Sequence, residues 1–282
     1  MRFSLSEMTN RAKPRKRGIV SIRPISPPAT RATDLFQSAF RPIILLWTGA
    51  LPAILAEYER TLASLTTDAP ADITARIEQP ETQANAIVVL MRARIARSAE
   101  RIEQWQRGRW QANVLSATGV DLGTLMGPED VRETLEVVIE RNVALVRNVS
   151  DETRRRIADA TFRGLQNRTP ARDVAKELRD AVAIERRRAL RIAADQTTTV
   201  AGQLNEERRR QAGIDTFEWV ASGKQHPREE HKARDGRLYS ESPTRQGTEY
   251  EGKMIRKPPP PEDMPSVPIY CGCTSRAVLI LD

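Results

Sequence analysis

The sequence predicts an α+β protein, mostly helical through its N-terminal and middle regions and closing on a small mixed α/β C-terminal module. Three observations carry this. From residue 33 to 211, long stretches set apolar residues three and four apart, the period of a helix with one buried face. After residue 214 the texture changes to short alternating or all-apolar runs, at 216–220 and 277–281, separated by glycine and proline. Composition agrees, since 29% charged residues against 5% aromatic favour solvated helices over a thick globule.

Taken in order, residues 1–30 hold seven basic residues against a single acid, Glu7. Pro14, Pro24, Pro27 and Pro28 interrupt them. So basic and broken a segment is expected to be a flexible arm. Its Arg11, Lys13, Arg15, Lys16, Arg17 and Arg23 are candidate phosphate contacts. The alternative is a solvated tail.

Residues 31–128 read as a helical region. Within it, Pro42, Gly49 and Pro52 are expected to cut residues 33–65 into pieces. Residues 81–113 form an uninterrupted helix candidate ending near Trp105 and Trp110. These two tryptophans, with Trp47 in the apolar run 43–47, could anchor a partner or pack one helix on the next.

Residues 129–213 read as further helices. The first covers 129–148, and a second opens at a Ser150 cap and runs to 165. Another starts at Thr169-Pro170, where proline suits the first helical position. An arginine-rich helix covers 184–211 and stops at Gly213. The triple-arginine runs at 186–188 and 208–210 are expected on a solvated face, because Glu185, Asp195, Glu206 and Glu207 interleave them.

Residues 214–282 read as a small α+β module. Its features are a strand ending near Trp219, the histidines His226 and His231, a turn at Asp235-Gly236, prolines from 258 to 268, Cys271-Gly-Cys273 and a terminal strand. Two cysteines are too few for a disulfide framework and point to a reducing compartment. Cys271, Cys273, His231 and His226 are ligand types that suit zinc. A one-residue gap between thiols is tighter than the usual spacing. Five residues between the histidines also keep both off one helical face. The other reading has His231 hydrogen-bonded to Asp235 or a carbonyl, pinning the loop, with no cofactor required. A strained bridge between the cysteines is disfavoured.

The order of these pieces resembles the phage Mu F-like head morphogenesis family over about residues 130–282. Residues 142–153, 169–178 and 188–197 are similar to its successive helical segments. Gly213-Ile214 leading to Trp219 resembles its next element. The stretch 228–236, with Arg228, His231, Asp235 and Gly236, looks like the family's R-x-x-H-x-x-x-D-G. The prolines leading to Cys271 and Cys273 complete the set. Gln225 stands in the region where the family often has an acid, and Pro268-Ile-Tyr270 where it often has His-Pro.

The resemblance implies a minor capsid protein of a tailed bacteriophage, not an enzyme. Its partners would be the portal protein, the major capsid protein and phage DNA through the basic arm. Its place would be the virion head, and the host cytoplasm during assembly. No membrane enters that role. No apolar run approaches the roughly 18 residues of a spanning helix, and no signal peptide is expected. Neither a phosphate-binding glycine loop nor a serine elbow occurs. The rival readings are a nuclease- or toxin-like domain using His226 and His231, and a basic DNA-binding protein.

Overall fold

A computed structural model describes residues 3–12, 18–64 and 69–281. Their elements are α1 (Leu5–Ala12), β1 (Gly18–Ser21), α2 (Ala29–Leu35), a π-turn at Phe36–Phe40, α3 (Arg41–Ser64), α4 (Ala69–Thr118), α5 (Arg132–Gln166) and α6 (Ala171–Gln211). There follow β2 (Thr216–Val220), α7 (Glu229–Ala233), β3 (Leu238–Ser240), β4 (Glu249–Tyr250), β5 (Lys253–Arg256) and β6 (Thr274–Leu281). The α+β class holds. Two compact units share the chain, one made of residues 1–28, 99–136 and 195–282, the other of 29–98 and 137–194. The linear segments expected from sequence are therefore corrected to discontinuous ones.

The first unit is built on a six-stranded sheet in the order β1-β6-β2-β3-β5-β4. β6 is interior, antiparallel to β1 on one side and to β2 on the other. Successive side chains of a strand face opposite ways. Ala277, Leu279 and Leu281 accordingly join a cluster with Leu5, Ile22, Trp110 and Val114. Val278 and Ile280 join Leu238 and Ile255 on the other face. That two-sided burial explains the unbroken apolar run.

The flexible arm is corrected for its described part. Residues 5–12 are a helix and 18–21 a strand. The reason lies at the end of α6, whose last carbonyls lack helical partners. Gln211 O accepts the Phe3 N–H and Ala212 O the Leu5 N–H, both at 3.0 Å. Leu5, Ile22 and Ile25 are then buried. Lys13, Arg15, Lys16 and Arg17 lie outside the described residues, while Arg11 and Arg23 are exposed.

The second unit is helical. Pro42, Gly49 and Pro52 do not break α3. Pro42 lies in its first turn, where a missing N–H costs little. The π-turn before it closes through the Arg41 N–H to Phe36 O. Ser150 is not a cap but lies inside the continuous α5, where its Oγ accepts the Trp47 indole N–H at 3.0 Å. The residues read as two helices at 169–183 and 184–211 are one, α6.

Ala29–Ser64 is also long and apolar enough, by length and composition, to cross a membrane. Counting unbroken apolar runs overlooked it, because single polar residues interrupt the stretch. Phe36, Phe40, Ile43, Ile44, Trp47 and Ile54 within it are buried core residues.

Candidate functional site

The site lies in the first unit, where four loops and short elements converge beside β2. Trp219 comes from β2, His231 from α7, Asp263 from the 3-10 turn Pro261–Asp263, and Cys271 and Cys273 from the approach to β6. Trp219, His231, Cys271 and Cys273 are all buried.

His231 is held at both ring nitrogens. Its Nε2 is 2.9 Å from Asp263 Oδ1. Its Nδ1 faces Cys271 Sγ at 3.5 Å and Cys273 Sγ at 3.7 Å. A carboxylate only accepts, so the hydrogen bond to Asp263 places the ring hydrogen on Nε2. Arg234 clamps the other oxygen of Asp263 at 2.6 Å. Burial works against ionisation of Asp263, yet the hydrogen bonds from His231 and Arg234 hold its carboxyl below the ordinary value. Trp219 packs edge-on to the imidazole, with centroids 5.1 Å apart, and carries the Arg234 guanidinium 5.0 Å over its own ring.

The thiols form an unequal pair. The hydrogen bond from Cys273 is the main influence drawing the Cys271 thiol down to about 5, against its burial. Backbone N–H groups of Cys273 and Ser266 and the His231 side chain add to this. Cys273 is pushed up by the same pairing and by burial. Both cysteines are free.

The loop carrying the thiols is gripped by one face of α6. Asp195 Oδ1 accepts the Tyr270 N–H at 2.6 Å. Thr199 donates to Ser266 O, and Ser266 Oγ donates to Cys273 O. Asn205 Nδ2 donates to Ser275 O and Oγ. The loop sits so close at Gly202 that a Cβ there would fall 2.4 Å from Ser266 Cβ. From the other side Arg228 and Lys224 donate to the carbonyls of Ile269 and Tyr270. Ser266 and Tyr270 adopt positive φ, 69° and 59°, a conformation that side chains resist and that surrounding contacts must enforce.

Of the four ligand candidates from sequence, the fold gathers His231, Cys271 and Cys273, whose ligand atoms all lie within 4.8 Å of one another. His226 is exposed and does not belong to this group. Asp235 does not pair with His231, as the pinning reading allowed. Its Oδ1 accepts the Ala221 N–H, and Gly236 turns the chain at φ 70° so that β3 can pair with β2. Asp263, Thr199, Gly202 and Asn205 were not found by sequence reasoning. Of these, Asp263 had a signal: an acid eight residues before Cys271 in an otherwise proline-bound loop.

Two other expectations change. Trp47 and Trp110 are fully buried and cannot anchor a partner, whereas Trp105 is half-buried. Arg208 and Arg209 are fully buried rather than solvated. Glu103 pairs with Arg208 at 2.7 Å, and Glu206 and Glu241 pair with Arg209. Each guanidinium thus enters the interior already neutralised, which burial of a charge requires.

Residues 155–276 match the Phage Mu protein F like protein family. The Mu F-like region opens within α5 and closes within β6, so it takes in the gripping face of α6, His231, Asp263 and both cysteines. Residues 142–153, read from sequence as its first segment, fall before the match. The match covers less than half of the chain and shows what residues 155–276 are similar to. An uncharacterized protein of Haemophilus influenzae strain Rd is 24% identical over 168 residues, which is 59% of this chain. The aligned part is about a third of that relative's length, 34%. No solved structure matches the chain.

Proposed function

We propose that this protein is a minor capsid protein of a tailed bacteriophage. In this reading it binds at the portal vertex, contacts portal and major capsid proteins, and serves head assembly, DNA packaging or genome delivery. The observation that carries the proposal is the Mu F-like region lying over an intact module in which the histidine and both cysteines converge. The pair needed by the nuclease-like reading does not converge, since His226 is exposed while His231 is buried between Asp263 and the thiols. The protein acts in the virion head, reached from the host cytoplasm, and no membrane takes part.

Contact with phage DNA is assigned to a basic face of the first unit. Arg23, Arg109, Trp105 and Asn113 line a cavity of about 380 Å³ beside Pro24 and Pro28. Guanidinium groups beside a half-buried indole suit a phosphate backbone with a stacked base.

Two measurements test these statements. Phage lacking the chain should form heads that are poorly infectious. Particles that lack it yet package DNA and infect at wild-type levels would overturn the head role. Substituting Arg23→Ala and Arg109→Ala together should lower the salt slope of DNA binding by about 0.9 per lost phosphate contact. An unchanged slope would remove this face from the proposal.

A further inference from the structure

The ligand atoms of His231, Cys271 and Cys273 all lie within 4.8 Å of one another. Zinc at the centre of a tetrahedron, with Zn–S of about 2.3 Å and Zn–N of about 2.05 Å, sets an S···N edge at about 3.6 Å. The two observed S···N separations are 3.5 and 3.7 Å.

Two further features agree with that match. With its hydrogen committed to Asp263, the His231 ring turns the Nδ1 lone pair toward the sulfurs. A carboxylate on the far nitrogen is the usual support of a metal-bound histidine. Second, the one-residue cysteine spacing ceases to be an obstacle. In the loop entering β6 the two residues separated by Gly272 fall on the same side, in one cluster with Phe217, Trp219 and Tyr239, as i and i+2 positions of extended chain do. The histidine then arrives from α7, so the cysteine spacing need not resemble a zinc knuckle.

We infer that His231 Nδ1, Cys271 Sγ and Cys273 Sγ bind one zinc ion, with Asp263 orienting the imidazole and solvent filling the fourth position. Among the described residues, no fourth His, Cys, Asp or Glu joins the group. The ion ties the β6 approach to α7 and so fastens the Mu F-like module. This inference does not depend on the head role, because metal content is measured on the isolated chain.

The test uses the full-length protein, purified without chelator and freed of any affinity tag, with its metal content measured by elemental analysis. About one zinc per chain is expected. Cys271→Ser, Cys273→Ser and His231→Ala should each lose it, and His226→Ala should keep it. Asp263→Asn should retain zinc but give it up to a chromophoric chelator about 10–100-fold more readily. Cobalt exchanged for zinc should show a thiolate-to-metal charge-transfer band. Zinc-free wild-type protein that also takes up none from added zinc salt would overturn the site. So would zinc retained by the Cys271→Ser, Cys273→Ser double variant, or a cobalt spectrum without thiolate charge transfer. The wild-type measurement decides the matter even where a variant misfolds.

Discussion

Arg208 shows how a residue that looks solvent-bound becomes structural. It is fully buried beside Glu103, itself 3% exposed, and it also reaches Gly127 O and Gln211. Such a pair adds little net stability over apolar packing, but removing one partner strands the other. Glu103→Ala leaves Arg208 with Asp130 at 3.7 Å as its nearest remaining carboxylate. A loss of about 3–5 kcal/mol is expected from denaturant unfolding. A loss under about 1 kcal/mol would mean that Asp130 or water replaces Glu103. Trp47 teaches the same lesson for an apolar residue. Its exposure is zero and its indole N–H is satisfied by Ser150, so it belongs to the second unit's interior and not to a docking surface.

At the scale of elements, the relation between α6 and the loop 264–273 decides whether the site exists. Asp195, Thr199, Gly202 and Asn205 recur three to four residues apart and therefore share one helix face. Asp195 and Thr199 hydrogen-bond the loop, Asn205 bonds Ser275 at the start of β6, and the glycine lets the backbone approach. A methyl group at Gly202 must displace Ser266, whose hydroxyl holds the Cys273 carbonyl. Gly202→Ala should therefore cost about 1–3 kcal/mol, as overpacking does. It should also make the buried Cys271 and Cys273 react faster with a thiol reagent. Wild-type reactivity in a stably folded variant would show that the loop is held without this contact.

At the scale of the whole molecule, the chain's two ends meet in one sheet. β1 covers the edge of β6, pairing Gly18 with Leu281 through Ser21 with Val278. Deleting residues 1–28 should uncover that edge and remove Leu5, Ile22 and Ile25 from the core. Hydrogen exchange at the amides of β6 should accelerate, and the first unit should unfold at lower temperature. Exchange in β6 as slow as in the full chain would mean that β1 adds nothing to its protection. Such a deletion also confounds any assay of DNA binding, which is why substitution of Arg23 and Arg109 is the cleaner probe of the basic face.

The sequence by itself determined what depends on neighbours along the chain. Apolar periodicity defined most of the helical region, Gly213 marked the end of α6, and alternation at 216–220 marked β2. The ordered run from Trp219 through His231 and Asp235-Gly236 to Cys271 and Cys273 pointed to the Mu F-like region. The tertiary structure decided what depends on distant partners. Breaks read at Pro52 and Ser150 vanish, because packing stabilises a long helix by more than a local breaker costs. Residues 5–12 and 18–21 fold because the free carbonyls ending α6 and the open edge of β6 receive them, and neither is visible from composition. Likewise nothing local assigns Asp263 to His231 across 32 residues. The selection rests on burial, where an unpaired imidazole or carboxylate is too costly to keep and only a matched pair survives.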